Sequence, residues 1–551
     1  MVSWLKDAVF YEIYPQSFND TNGDGIGDIQ GIIEKLDYIK DLGANAIWIN
    51  PWYDSPFKDA GYDVRNYKLV APRYGTNEDA KRLFVEASKR DMHIILDLVP
   101  GHTSEEHPWF IESGKPIVDA DGNEAKNEFS DRYIWSDFWL GSIAGHPYIG
   151  GECDRNGTYM LNFFKCQPAL NYGFAEPKEK WQMSYQDEEP GKTLEAMMDV
   201  MRFWLDMGAS GFRVDMADSL VKDDDDKKSC TSKIWHKVRE MLDAEYPEAV
   251  MVSEWSNPLL AINGAGYHMD FYLNHIGNGY NTLLRDHESE GEDRTYFKKN
   301  ADGDITRFLT DFIPKYEGTK DKGYISFLTC NHDTPRASRT LDESELKIAY
   351  ATLLTLPGVP FIYYGDEIGM RYIENLPTKE GGYTRTGTRT PMQWEAYADS
   401  SSEGGTAGVG GSSAGDINMG FSTAAPDRLY LPIDPEGPSV REQQARPDSL
   451  YNTVKEILRI RHAEKSLNAD ADFEVILGEK DKPFIYRRGE IVIVVNPSER
   501  EMSFEANVLI DALSRSEKTI GLDDRTIYKT GSIDIIEDRL VVSPQCFVML
   551  R

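Results

Sequence analysis

Acidic side chains in this chain recur at one kind of place, directly after short apolar runs. Asp97 lies near the end of His93–Pro100, with His102 just beyond it. Asp215 closes Gly211-Phe212-Arg213-Val214-Asp215. Glu254 stands in Ser253-Glu254-Trp255, Asp333 in Asn331-His332-Asp333, and Asp366 and Glu367 in Tyr364-Gly365-Asp366-Glu367. Singly, each is weak: an Asp at a strand end is often only a helix cap. Gathered at one mouth, uncompensated carboxylates repel one another, and such clusters persist where function requires them. No spacing here matches a transition-metal site. Three carboxylates with His and Arg fit glycoside hydrolysis. One attacks the anomeric carbon, and the second protonates the leaving oxygen and then deprotonates water. A separation of about 5–5.5 Å goes with retained configuration.

The elements that must position these groups alternate between two kinds. Strand-like runs are Ala8–Pro15, Ala46–Pro51, His93–Pro100, Gly211–Met216, Ala249–Trp255, His268–Leu273, Ile325–Asp333 and Val359–Glu367. Helical patterns lie between most of them: Asp28–Leu42, Asn77–Arg90, Thr193–Met207, Thr231–Glu245, Glu343–Leu356 and Ser449–His462. Alternation of this kind implies parallel βαβ units. Eight units predict a (β/α)8 TIM barrel, whose reactive groups sit at the C-terminal strand ends. Two stretches break the rhythm. The segment from Thr103 to about Tyr172 is too long and too rich in Gly, Asp, Asn and aromatics for an ordinary loop, so it reads as an inserted subdomain after strand 3. Gly369–Pro447 is rich in Gly, Ser, Thr and Pro, and Ser400–Gly415 is expected to be mobile. From about Leu467 the helices stop. Phe473–Leu477, Phe484–Arg488, Ile491–Val495, Glu501–Glu505 and Leu540–Val542 predict a C-terminal antiparallel β-sandwich. The expected division is residues 1–102 and 173–466 for the α/β barrel, 103–172 for the insertion and 467–551 for the sandwich.

The motifs resemble glycoside hydrolase family 13, the α-amylase family, especially its oligo-1,6-glucosidase, α-glucosidase and trehalose synthase branches. The likeness spans essentially the whole chain. It rests on Asp97…His102, Gly211–Asp215, Glu254, Asn331–Asp333 and Gly358–Glu367, and Arg389-Thr390-Pro391-Met392-Gln393-Trp394 resembles a motif of the α-glucosidase branch. The resemblance implies roles by position: Asp215 as nucleophile, Glu254 as acid/base, and Asp333 as the carboxylate that grips sugar hydroxyls and stabilises the transition state. It also implies that His102 and His332 donate to the sugar in subsite −1, that Tyr62 lies beneath it, and that Asp59, Asp97 and Arg389 belong to the same pocket. Asp59 implies exo action on a terminal glucose. Arg213, two residues before Asp215, returns to the same strand face. Its charge is expected to keep Asp215 ionised, whereas Glu254 needs a raised pKa. Met216 and Trp255 are placed to line the leaving-group side. Three positions depart from the family. Gly101 replaces an Asn that helps bind calcium in amylases, Ala169 replaces an Asp in Gln167-Pro168-Ala169-Leu170-Asn171, and Met216 follows the nucleophile where relatives tend to have Val or Ala.

A separate signal is Asp20-Thr21-Asn22-Gly23-Asp24-Gly25-Ile26-Gly27-Asp28. Oxygen ligands on alternate residues can wrap a hard cation. A structural Ca²⁺ or Mg²⁺ is expected there, held by Asp20, Asn22, Asp24, the Ile26 carbonyl and Asp28, as in the family's α-glucosidases. The other reading is an ion-free Asx-turn loop. No cofactor is expected for catalysis. The run Asp223–Lys228 reads as a solvated loop.

The chain has 551 residues and a formal charge of −32, which sets nucleic acid aside as a partner, since binding it needs clustered Lys and Arg. No apolar run reaches about 18 residues, so no membrane span is expected. Five cysteines in no zinc pattern, with no leader-like opening, suggest buried thiols and a cytoplasmic protein. The expected activity is a retaining exo-α-glucosidase on short α-glucosides, acting as a monomer or weak homo-oligomer. A transglucosylase or a sucrose- or trehalose-active isomerase shares the same intermediate. A non-catalytic barrel homologue is of another class, and it would lack the carboxylates.

Overall fold

The computed structural model describes residues 2–138, 145–288, 291–397, 418–513 and 522–551. Ser400–Gly415 therefore lies outside the described residues. Eight parallel strands form one sheet: β1 (Phe10–Ile13), β2 (Ala46–Ile49), β3 (His93–Leu98), β4 (Gly211–Val214), β5 (Val250–Ser253), β6 (Met269–Phe271), β7 (Tyr324–Ser326) and β8 (Phe361–Tyr363). Pairing runs in sequence order from β1 to β7, with β8 beside β1. Just past the end of β7 the chain reaches β8, where the Phe361 amide donates to Phe327 O at 2.8 Å and the Thr329 amide to Phe361 O at 3.0 Å, so the sheet closes into a barrel. All eight expected strands are present.

The two-residue period of each strand divides its side chains. Phe10, Trp48, Ile95, Val250, Val252, Phe271 and Phe361 pack together inside the barrel, where Phe10 stacks on Phe361 at 4.3 Å. Alternate residues such as Val9, Tyr11, Ile47 and Phe212 pack outward in the larger core that includes the helices. Those helices are α1 (Ile29–Leu42), α2 (Asn77–Ser88), α3 (Glu188–Met207), α4 (Ser229–Glu245), α5 (Ile305–Thr319), α6 (Glu343–Leu353) and α7 (Leu450–Ala463). The strand 6 to strand 7 connection, the least clear in the sequence, holds α5. Its Pro314 obscures the pattern. Asp224 and Asp225 of the acidic run accept the amides of Ser229, Cys230 and Thr231 in the first turn of α4. The run is thus a helix start rather than only a solvated loop.

Residues after strand 3 carry a small antiparallel sheet of Trp135–Ser136, Thr158–Met160 and Tyr148–Gly150, with Ile134, Met160, Ala169 and Phe174 packed together. Beyond α7 come β9 (Phe473–Leu477), β10 (Phe484–Arg488), β11 (Ile491–Asn496), β12 (Met502–Glu505), β13 (Thr526–Thr530), β14 (Ile533–Ile536), β15 (Arg539–Val542) and β16 (Cys546–Leu550). They form a five-stranded and a three-stranded antiparallel sheet around Ile485, Val494, Phe504, Leu540 and Val548. One expectation is corrected: helices do not stop near Leu467, because Ala506–Leu513 is helical. Its Leu509 is buried in the same cluster as those strands. No helix among the described residues is long and apolar enough to cross a membrane, and all five cysteines are free thiols.

Candidate active site

The C-terminal rim of the barrel is organised around one guanidinium. Arg213 points inward from β4 and is 1% exposed. Its Nη1 lies 2.8 Å from Asp97 Oδ1 and 2.9 Å from Asp215 Oδ1, and its Nη2 lies 2.8 Å from Glu254 Oε2. A planar fork suits several carboxylates at once, and here it offsets the repulsion of three. Only the contact with Asp215 followed from strand spacing. Those with Asp97 and Glu254 join neighbouring strands, whose register sets Asp97 beside Arg213.

Met216 and Ser256 each follow a strand-end carboxylate by one or two residues, and both have left-handed backbones (φ 42° and 59°). For side chains other than glycine this costs free energy, and it clusters where a site needs a particular geometry. The turn at Met216 aims its amide at Glu254 Oε2, 3.0 Å away. Its sulfur meets Asn162. Trp255 is buried, and its backbone amide, with those of Ser256 and Asn257, faces the Asp270 carboxylate.

The third carboxylate is held by a separate set of cations. Asp333 Oδ1 accepts from Arg385 Nη1 (2.8 Å) and Arg389 Nη2 (3.0 Å), while Oδ2 faces His332 Nε2 at 3.2 Å. Arg389 Nε also donates to His332 O at 2.8 Å, fixing the strand 7 loop. Tyr62 stacks on the His332 ring (5.4 Å between centroids), and its hydroxyl bonds both Asp97 (2.9 Å) and His332 Nε2 (2.7 Å). Asp59 accepts from Gln167 Nε2 at 2.7 Å and faces Arg385 Nη2 at 3.5 Å. A Cβ on Gly381 (φ 68°) would fall 3.0 Å from Lys58 O and 3.2 Å from Asp59 Oδ1, so the Gly381–Arg385 segment packs directly over Asp59. His102 has both ring nitrogens engaged, with Nε2 against Tyr62 O (3.1 Å) and Nδ1 against Asn162 (3.0 Å). It reaches a sugar only by exchanging one of these bonds.

Burial sets the protonation pattern. It pushes Asp215 up to about 6, with Arg213 opposing and Asp97 adding. Arg213 therefore does not hold Asp215 below its ordinary value, yet the carboxylate is still the major form at neutral pH. Burial lifts Glu254 to about 7, again opposed by Arg213, the direction a general acid needs. Asp59 rises to about 6, burial being the chief cause. His102 falls to about 4 by burial and is neutral. Burial works against charge at Asp333 too, but His332, Arg385 and Arg389 override it and hold that carboxyl well below the usual range.

These contacts join Asp59, Tyr62, Asp97, His102, Arg213, Asp215, Met216, Glu254, His332, Asp333 and Arg389. Trp255, in contrast, packs in the larger core, Asp366 bonds Thr329 and Arg336, and Glu367 bonds Tyr11 and Tyr38 away from the rim. Sequence spacing did not find Arg385, Gln167, Asn162 or Glu12. Arg385 lies four residues before Arg389, and Glu12 was visible as a lone charge inside an apolar strand run.

The matching family model is the α-amylase catalytic domain, over residues 12–470. The chain belongs to the α-amylase family. It is 34% identical to a glucan 1,6-α-glucosidase of Streptococcus pneumoniae, covering 92% of this chain and 94% of the relative. It is 33% identical to the trehalose synthase/amylase TreS of Mycolicibacterium smegmatis, covering 83% and 76%, and 29% identical to an oligo-1,6-glucosidase of Parageobacillus thermoglucosidasius, covering 96% and 94%. Among solved structures, an isomaltulose synthase mutant of Erwinia rhapontici in complex with D-glucose superposes with a TM-score of 0.75 at 25% identity, covering 100% and 99%.

This family member departs at Gly101, where a Cβ would fall 2.9 Å from Asn162 Nδ2. Asn162 fills that space, and its Oδ1 lies 3.4 Å from the buried ammonium of Lys222. A protein cation thus stands beside the position whose usual Asn helps bind calcium. A second departure, Ala169, is fully buried in an apolar cluster.

In the Asp20–Asp28 loop every acidic or amide side chain accepts backbone amides. Asp20 receives Asn22, Gly23 and Gly25, Asn22 receives Asp24, and Asp24 receives Ile26. Asp28 receives Thr21 and caps α1 through Gly31. No three His, Cys, Asp or Glu side chains converge as a metal cluster among the described residues. Ser422 Oγ also donates to Asp20 Oδ2 and Thr21 Oγ1 to Asp28, so the roughly four lone-pair sites of Asp20 are filled. The loop is held as Asx turns, and a cation there would have to displace some of these bonds.

Proposed function

We propose that this chain is an exo-acting retaining α-glucosidase that hydrolyses short α-glucosides by double displacement. The observation that carries the reading is the Arg213 guanidinium shared by Asp97, Asp215 and Glu254, beside a third carboxylate with its own cations. In the first step Asp215 bonds to the anomeric carbon as the glycosidic bond breaks, and Glu254 gives its proton to the departing oxygen. In the second step Glu254 takes a proton from water, whose oxygen displaces Asp215. Asp333, His332 and Arg389 hold hydroxyls of the −1 glucose over Tyr62, with Asp97 behind it. The Gly381–Arg385 segment over Asp59 supports exo action, because it walls the pocket beyond the terminal sugar.

A second reading is transfer of the same glucosyl group to a sugar, as in a transglucosylase or a sucrose- or trehalose-active isomerase. Likeness to a trehalose synthase and to an isomaltulose synthase favours it, and Met216, beside Glu254 and Asn162, suits a lining of the leaving-group side. Incubation with maltose, isomaltose, sucrose, trehalose, kojibiose and nigerose tests both. Glucose release supports hydrolysis and new disaccharides support transfer, while inertness toward all six would sink the α-glucosidase reading.

We also propose a structural Ca²⁺ or Mg²⁺ at Asp20, Asn22, Asp24, the Ile26 carbonyl and Asp28. It stiffens the loop and takes no part in catalysis. A monomer or weak homo-oligomer is proposed. Five free thiols suit the reducing cytoplasm.

A further inference from the structure

Glu12 is a buried carboxylate that the double displacement does not use. It lies in β1, two residues after the inward-facing Phe10, and therefore points into the barrel. The residue is 0% exposed, and its Oε2 has no hydrogen-bond partner. Burying a charge with an unpaired oxygen is costly, and a glutamine of the same shape would cost less. The position therefore calls for a local reason.

That reason is His332. Glu12 Oε1 lies 2.9 Å from His332 Nδ1. On the far side of the ring, Nε2 lies 2.7 Å from the Tyr62 hydroxyl and 3.2 Å from Asp333 Oδ2. Tyr62 gives its own proton to Asp97 Oδ2, 2.9 Å away, so toward the imidazole its oxygen can only accept. Asp333, ionised, also only accepts, and so does Glu12. The Asn50 amide contacts Nδ1 at 3.0 Å, and its oxygen lacks a partner. As placed, the amide nitrogen is a donor that also serves the Glu12 carboxylate. A carboxylate oxygen thus stands at each ring nitrogen, Glu12 at Nδ1 and Asp333 at Nε2.

We propose that Glu12 is a positioning residue that keeps His332 doubly protonated, so that the −1 subsite presents a cationic donor beside Asp333.

Most charges around the pair agree, with the Arg389 guanidinium, 2.8 Å from the His332 carbonyl oxygen, opposing. His332 faces Glu12 from β1, Asp97 from β3, Asp333 from its own loop, and the neutral Asn50 and Tyr62 from beyond β2. The Trp48 ring lies edge-on to it at 5.8 Å. Glu12 in turn feels Arg213 from β4, with Tyr363 on β8 and Cys330 nearby. Burial disfavours the imidazolium, but Asp333 and Glu12 outweigh it and lift His332 to about 9. Burial also raises Glu12, opposed chiefly by His332.

The inference rests on the proposed function only in giving Asp333 and His332 to the sugar-binding subsite; the protonation of the ring is readable without substrate. Nitrogen-15 NMR of histidine-labelled protein, assigned with His332→Asn, reads both ring nitrogens. At pH 7.5 the expected result is imidazolium in the parent and neutral imidazole in Glu12→Gln. Glu12→Gln should also lower kcat/KM by about tenfold at pH 7.5, as loss of a residue that orients and charges a ligand-gripping group does. At pH 5.5 the loss should be small, with the alkaline limb of the profile moved to lower pH. A neutral His332 in the parent would overturn the proposal even if Glu12→Gln did not fold. So would an imidazolium that survives the substitution, or a fall in kcat/KM equal at every pH. Should the parent prove inactive on every glucoside, the function fails, and the NMR result still decides the protonation.

Discussion

At the scale of single residues, the account turns on how one cation manages three acids. Asp215 at about 6 and Glu254 at about 7 share Arg213, so they titrate as a coupled pair rather than as isolated groups. A narrow bell of kcat/KM against pH near neutrality is expected: the acid limb reports loss of the Asp215 carboxylate, and the alkaline limb loss of the Glu254 proton. A broad plateau from pH 5 to 9 would contradict this. Asp215→Asn removes the nucleophile while keeping the shape of the side chain. It should lower kcat by about 10⁴-fold with an unchanged circular dichroism spectrum, and near-normal turnover would exclude Asp215. Much of this was legible in the sequence, because Asp97, Asp215, Glu254 and Asp333 each end an apolar run and strand ends of a barrel converge. Arg385 and Gln167 were not. They reach Asp59 from positions far along the chain, on segments with no period of their own.

At the scale of elements, strands and loops divide the work of positioning. The Asp270 carboxyl at β6 is buried, bonded by Ser253 Oγ at 2.6 Å, and faced by the amides after Glu254. Burial pushes it up to about 8, against about 4 when unfolded. An acid raised by folding contributes stability that is fully present below the unfolded pKa and is lost as pH rises toward the folded value. Asn does not titrate. The stability of Asp270→Asn relative to the parent should therefore rise from about pH 4 to about pH 8 and be level above, as read by urea unfolding at each pH. A difference independent of pH would refute the buried acid. The Asp20–Asp28 loop makes a second prediction. With an ion bound, EDTA lowers Tm while leaving turnover at low temperature nearly intact, since the loop contributes none of the catalytic carboxylates. An unchanged Tm would mean that the amide bonds of the loop suffice. The eight barrel strands were legible from alternation alone. Less so were the C-terminal strands Thr526–Thr530, Ile533–Ile536 and Cys546–Leu550, because Ile533–Ile536 carries exposed apolar residues that blur the two-residue period.

At the scale of the whole molecule, one barrel carries the chemistry, and two of the segments added to it border the pocket. The segment after strand 3 supplies Gln167 and Asn162 to the pocket wall, and the region after strand 8 supplies Arg385 and Arg389. Sequence alone placed both additions but not what they touch, since such contacts depend on how long irregular segments settle onto the rim. The central claim, that Asp215 and Glu254 carry out two successive displacements at one anomeric carbon, has a direct stereochemical reading. Two inversions restore the starting configuration, whereas one reverses it. Proton NMR recorded during the first moments of hydrolysis, before mutarotation, follows the anomer of the glucose released from an α-glucoside. The account predicts that α-glucose appears first and β-glucose grows in later. β-Glucose as the first product would contradict it.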